Sequence, residues 1–424
     1  MKTIQVKIEK LVFGGQALGY LETKPVFVWN ALPEEVVEVE ITKTKKDYLE
    51  GTAIKILQSS PARLEPKEEH FLSCSPWQIL SWEEENIWKK KIVAEAYRRI
   101  GKFGADLDID IFTDNKQYDY RNKMEYGLWE EENQVKLSFF ERGGKRVYQI
   151  EGCNLAQPII NKVAKDLVNW INKNNFPGRS LKTVILRSNK KGEVIVGIFI
   201  KDKLKIDNFP ELNNNLIGLQ IYFSNPKSPA SVPTELIYKN GQNFLEEELG
   251  GVKYKSGLLS FFQVNTSVFT EALQDIKKYV NANSQVVDYY AGVGAIGLNL
   301  ASQCQKVELV ESNAEAVEFA KQNIKLNKFK NVSASLKPAE EMIELISHDK
   351  IIIFDPPRAG LHKKIIDKVL QAEPAKIIYM SCNISTQARD VGSLLGKYKI
   401  VFSRLYNFFP RTPHVEGLLV LERR

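Results

Sequence analysis

Through the first 58 residues, apolar and polar positions alternate in short runs such as "VEVEIT" and "TAIKIL", interrupted by the turn-rich "FGGQALGY" and "NALPEE". A period of two over such short runs predicts a small all-β barrel over residues 1–58. From 59 to 250 a charged helical stretch, "WEEENIWKKKIVAEAYRRI", mixes with alternating strands such as "KTVILRSN" and "EVIVGIFIK", which predicts an α+β central domain. After "SGLLSFFQVN" the texture changes again. From 251 to 424 the apolar runs "QVVDYY", "KVELVES", "KIIIFDPP", "KIIYMSC" and "EGLLVLER" alternate with helical stretches, and this predicts a parallel α/β sheet.

Such sheets bind ligands at the carboxyl ends of their strands, beside helix N-termini, and the polar residues of interest fall there. In "VVDYYAGVGAIGLNLA" a strand ends at Asp288, and Gly292 and Gly294 let the backbone turn tightly against a ligand. Taken alone, a glycine pair also fits a plain strand-to-helix turn. The next strand ends in Glu311, about 20 residues beyond the glycines, where a carboxylate accepts hydrogen bonds from ribose hydroxyls. Together these features point to an adenosine-containing cofactor. The third glycine of a dinucleotide fingerprint is missing, and S-adenosylmethionine has no pyrophosphate, so it suits the site better than NAD. "FDPPRAG" sets Asp355 at a further strand end, where its two prolines fix the turn. "IIYMSCNISTQARDV" ends a buried strand at Cys382.

Composition narrows the class. The 424 residues are 43% hydrophobic and 26% charged, ordinary for a globular protein, and the opening "MKTIQVKIEK" has no apolar run fit for a signal. The cysteines at 74, 153, 304 and 382 lack C-x-x-C spacing, and no segment is apolar enough to span a bilayer. A cytoplasmic monomer is expected. The net charge of +7 favours an anionic partner such as RNA. Residues 1–58 hold eight Lys against eight acids, so RNA contact by the barrel requires a local patch, for which "TKTKKDY" is the candidate.

The motifs "FFQVN", "DYYAGVG", "ELVESN", "DPPRAGL", "SCN....ARD" and "HVEGLLVLER" follow the order and spacing of the RNA 5-methyluridine methyltransferases, which the chain resembles over nearly its whole length. The resemblance implies a C-terminal Rossmann-like class I methyltransferase domain using S-adenosylmethionine, behind an OB-like TRAM barrel that binds RNA. It favours 23S rRNA as substrate, with the tRNA T-loop as the other target. Cys382 would be the thiolate that adds to carbon 6 of uracil, and Glu416, in "HVEGLL", the base that removes the carbon 5 proton. Gln263, Tyr290, Glu311 and Asp355 match residues that line the cofactor and uracil site. By position alone, Cys382 also fits a buried structural cysteine, Gln263 a strand-loop amide and Tyr290 core packing. A helix N-terminus and the Arg389 charge are expected to lower the Cys382 pKa. Phe261 and Phe262 are candidates for holding a flipped base, with core packing equally suited to one of them.

One departure from the resemblance stands out. Many members of that family carry a four-cysteine iron–sulfur site. Here "HFLSCSPWQILSW" retains only Cys74, and Cys153 in "EGCNLAQP" stands where the distant ligand would be. Two thiols do not supply the four usual ligands, so neither an iron–sulfur cluster nor another metal is expected. Two other functions are weighed. An RNA cytosine-C5 methyltransferase is disfavoured because "FDPPRAG" lacks the additional cysteine typical of those enzymes. A non-catalytic RNA-binding assembly protein on the same scaffold would be expected to have lost Cys382 or Glu416, and both are present.

Overall fold

A computed structural model describes residues 3–104, 107–142, 146–204, 206, 208–228 and 231–424. Strands β1 (Thr3–Leu11), β2 (Ala17–Leu21), β3 (Lys24–Trp29), β4 (Val36–Thr44) and β5 (Leu49–Gln58) close into a barrel in the order β1-β2-β3-β5-β4. The alternation puts Val6, Ile8, Val26, Val28, Val37 and Val39 inside, all fully buried. Trp77 belongs to the same core, and its Nε1 donates to the Gly15 carbonyl at 3.0 Å.

The chain continues through α1 (Phe71–Cys74), α2 (Trp82–Ala96) and β6 (Asp110–Phe112). A seven-stranded sheet follows, built from β7 (Lys123–Glu131), β8 (Gln134–Phe140), β9 (Val147–Ile150), β10 (Leu181–Ser188), β11 (Val194–Ile200), β12 (Leu216–Phe223) and β13 (Glu235–Gly241). Helix α3 (Pro158–Lys173) buries Ile160, Val163, Ala164, Leu167 and Ile171 in the core of this sheet, an apolar stripe with helical spacing.

Two compact units result. Residues 1–92, 116–242 and 409–414 form one, and residues 93–115, 243–408 and 415–424 form the other. The second unit opens with the hairpin β14 (Phe244–Leu249) and β15 (Val252–Gly257), then α4 (Thr266–Lys277). Its sheet has the order β18-β17-β16-β19-β20-β22-β21-β6. The strands are β16 (Gln285–Tyr289), β17 (Lys306–Glu311), β18 (Val332–Leu336), β19 (Lys350–Phe354), β20 (Lys376–Ser381), β21 (Tyr398–Tyr406) and β22 (Glu416–Arg423). Helices α5 (Gly297–Leu300), α6 (Ala314–Leu326), α7 (Lys363–Ala372) and α8 (Ile384–Leu394) alternate with them.

From β16 to β20 the strands are parallel, and the central β16, β19 and β20 are buried, as their apolar runs require, while β18 at the end of the sheet is not. The order reverses at β16, between β17 and β19, which opens a ligand crevice at that edge. The last strand departs from the parallel reading: β22 runs antiparallel to both β20 and β21. The link over 407–415 contains no helix, and a parallel neighbour needs a longer crossover. Among the described residues no helix is long and apolar enough to cross a membrane.

Candidate active site

Three of the quoted motifs share one local device. Asn265, Asn313 and Asn383 are the N-caps of α4, α6 and α8, and their side chains accept from the backbone N–H groups of Val268, Ala316 and Ser385. A capping asparagine ends the strand or loop and starts the helix at a defined residue. Gln263, Glu311 and Cys382 lie one or two positions before these caps, so each is held on the connecting turn.

The glycine turn after β16 is left-handed at Gly292 (φ 57°) and Gly294 (φ 88°), as glycine permits, and also at Tyr290 (φ 63°), where a side chain makes it costly. Glu311 braces this turn. Its Oε2 accepts from Gly292 N–H at 2.9 Å, and its Oε1 accepts from the N–H groups of Ser312 and Asn313, both at 2.7 Å. The Ser312 hydroxyl adds a longer contact to Oε1 at 3.4 Å, and a ligand hydroxyl would compete with it for the carboxylate.

Around the turn the surface is concave. One hollow is lined by Phe261, Gln263, Asp288, Tyr290, Gly292 and Asp355. A larger one, of about 1010 Å³, is lined by Tyr290, Pro338, Glu340, Leu361 and Asp390 among others. Tyr290 belongs to both. Asp288 was not assigned a role from sequence. Its Oδ2 accepts from Gly297 N–H at 2.8 Å, while Oδ1 is buried with no partner. Burial pushes its carboxyl up to about 8. The two phenylalanines separate: Phe261 is 64% exposed and Phe262 is buried against Tyr254.

At the next strand ends the reactive groups assemble. The last backbone pair between β20 and β22 is Ser381 with Gly417, so Cys382 and Glu416 come next, side by side at the sheet edge. Asp355 follows β19, the neighbour of β20 on its other side. Cys382 is partly exposed, whereas Glu416 is buried with Oε2 unpartnered. The Cys382 thiol is pushed up to about 11, first by burial and then by the charges of Glu416 and Asp355, with Arg358 opposing. Burial also carries Glu416 well above the usual carboxylate range, with Asp355 adding to the rise and Arg358 opposing it. Asp355 rises to about 7 through burial.

The expected lowering of the thiol pKa by Arg389 is therefore overturned. Arg389 turns away from the thiol: its Nε donates to Asp390 Oδ1 at 2.8 Å, and a terminal nitrogen donates to the Ala359 carbonyl at 3.0 Å. Asp390 Oδ2 accepts from Leu361 N–H at 2.8 Å, and Asn383 Nδ2 donates to the Arg358 carbonyl at 2.8 Å. The "SCN....ARD" motif is thus the frame of the "DPPRAGL" loop, and the cation acting on Cys382 is Arg358. The arginine inside the quoted loop motif was the available signal.

A family model described as tRNA (Uracil-5-)-methyltransferase matches residues 88–350 and 343–424, and a TRAM domain model matches residues 1–54. An uncharacterized RNA methyltransferase of Fusobacterium nucleatum is 32% identical, covering 99% of this chain and 96% of its own. One from Caldanaerobacter subterraneus is 30% identical over 99% and 98%. Among solved structures, the tRNA (uracil-54, C5)-methyltransferase of Pyrococcus abyssi in complex with S-adenosyl-L-homocysteine shares the fold. Its TM-score is 0.78 at 24% identity, covering 99% of this chain and all of that one.

Proposed function

The chain belongs to the tRNA (uracil-5-)-methyltransferase family, and from that premise we propose that it transfers a methyl group from S-adenosylmethionine to carbon 5 of a uridine in RNA. The observation that carries this reading is the shared sheet edge of Cys382 and Glu416. Gln263, Tyr290, Glu311 and Asp355 would hold the cofactor, and the unpartnered, buried Oδ1 of Asp288 suits a ligand bearing positive charge. When bound, S-adenosylmethionine supplies a methyl group on a cationic sulfur.

Cys382, which is partly exposed, gives its proton to solvent, and the thiolate, stabilised by the Arg358 charge, adds to carbon 6 of the uracil. Carbon 5 becomes nucleophilic and takes up the methyl group, the methyl–sulfur bond breaking with its electron pair left on a neutral thioether. Glu416 then accepts the carbon 5 proton, the bond from carbon 6 to Sγ breaks, and the ring double bond and the thiolate are restored. A carboxylate of raised pKa is a stronger base once ionised, which suits Glu416 to this step. Phe261, exposed beside the crevice, offers a stacking face to the flipped base.

The proposed substrate is 23S rRNA, bound by a monomer in the cytoplasm, with residues 1–58 contributing RNA contacts. A T-loop uridine of tRNA is the second reading, favoured by the description of the matching family model. Mapping 5-methyluridine in both RNA classes from cells with and without the protein tests this. Loss of one ribosomal methyluridine is expected. Loss confined to the T-loop would move the assignment to tRNA, and unchanged RNA would overturn the reading.

A further inference from the structure

The iron–sulfur group implied by the resemblance does not fit this chain, because only two thiols, Cys74 and Cys153, stand at the corresponding place. The fold brings two other donors to them. One atom each from Glu68, His70, Cys74 and Cys153 lies within 4.8 Å of all the others. Glu68 and His70 precede α1, Cys74 is its last residue, and Cys153 lies on the turn between β9 and α3.

We propose that these four side chains bind a single divalent metal ion of the zinc class, in a tetrahedral site with a structural role. Zinc holds sulfur at about 2.3 Å and nitrogen or oxygen at about 2.0–2.2 Å, so the donors of a tetrahedral site stand about 3.3–3.8 Å apart. His70 Nε2 and Glu68 Oε1 are already 3.3 Å apart, and the remaining donors need only a small inward movement.

Two further features separate this cluster from a plain hydrogen-bonded core. His70 Nε2 is buried and faces Glu68 Oε1 at 3.3 Å without a well-directed hydrogen bond, so the ring is aimed at the group as a ligand nitrogen would be. The supporting contacts also orient the donors. Asn154 N–H and Gln78 Nε2 donate to Glu68 at 2.6 and 2.8 Å, while Asn161 grips the Cys153 backbone in both directions at 3.1 and 3.0 Å. Such outer contacts fix the direction of metal ligands. Cys153 sits in the core beneath the seven-stranded sheet, so a bound ion would tie the α1 segment to that core.

Metal analysis of the full-length protein tests the site. We expect about one zinc per chain, falling below about a tenth in Cys153→Ser and His70→Ala and unchanged in Cys304→Ser, as ligand loss dictates. Should those variants fail to fold, the wild-type protein decides. After cobalt replacement it should show thiolate-to-cobalt charge transfer and the intense visible bands of tetrahedral coordination. About four irons per chain with acid-labile sulfide, a Cys74–Cys153 disulfide, or no metal retained after loading with zinc would each overturn the proposal.

Discussion

Glu416 stands one residue past the Ser381–Gly417 pair, next in register to Cys382, so the proposed nucleophile and the proposed base lie at the ends of adjacent strands. Their roles separate in the following way. Cys382→Ala should abolish methylation with no covalent capture of RNA. Glu416→Gln cannot accept the carbon 5 proton, so addition and methyl transfer should proceed while elimination stalls. A protein–RNA species that survives denaturing electrophoresis should accumulate in Glu416→Gln and vanish in the double variant. Normal turnover by Glu416→Gln would exclude it as the base.

A second expectation concerns pH. The thiol is raised to about 11, and its reactive form is the deprotonated one, so single-turnover rate should climb between about pH 7 and pH 9. Arg358 opposes the rise at both Cys382 and Glu416. Arg358→Gln should therefore slow methylation near neutral pH by about three- to tenfold, a size suited to an exposed charge. The climbing limb should also move to higher pH. A pH–rate profile identical to wild type would remove Arg358 from this role.

Cofactor affinity should depend on Glu311 in two ways, since it braces the glycine turn and is the proposed acceptor for the ribose. Binding of S-adenosylmethionine in the micromolar range, about 7–8 kcal/mol, is expected. Glu311→Ala should weaken it by roughly 1–3 kcal/mol in calorimetry. The same affinity in the variant would place the ribose elsewhere.

For the barrel, charge substitution is a cleaner test than deletion. Removing residues 1–58 would uncover Trp77, which is buried in the barrel core. Within "TKTKKDY", Lys43 is committed to Glu50 at 2.7 Å, whereas Lys45 and Lys46 are exposed. Replacing both by Ala should flatten the salt dependence of RNA binding by about one to two in slope while leaving cofactor affinity intact. An unchanged slope would mean that these lysines make no phosphate contact.

Much of the site was legible because its chemistry sits where apolar runs stop. The strand ends near Glu311, Asp355 and Cys382 could be read from periodicity, whereas the capping roles of Asn313 and Asn383 emerged only from the structure. Long-range partners were not legible. Arg389 looked like the cation for Cys382 because it is seven residues away along the chain, yet Asp390 and the Ala359 carbonyl claim it. The direction of β22 depended on what the preceding link lacks. His70 and Glu68 carry no spacing signal toward Cys153, because only the fold brings them together.

The position of β22 has a consequence in time. It is translated after every other strand of its sheet, yet its place is between β20 and β21, with β6 paired beyond β21. A chain synthesised only as far as residue 415 therefore contains Cys382 but lacks the strand that pairs with β20 and starts at Glu416. The seam between β20 and β21 closes only when that segment arrives. On the roles proposed for Cys382 and Glu416, the pair is completed in a single late event of synthesis.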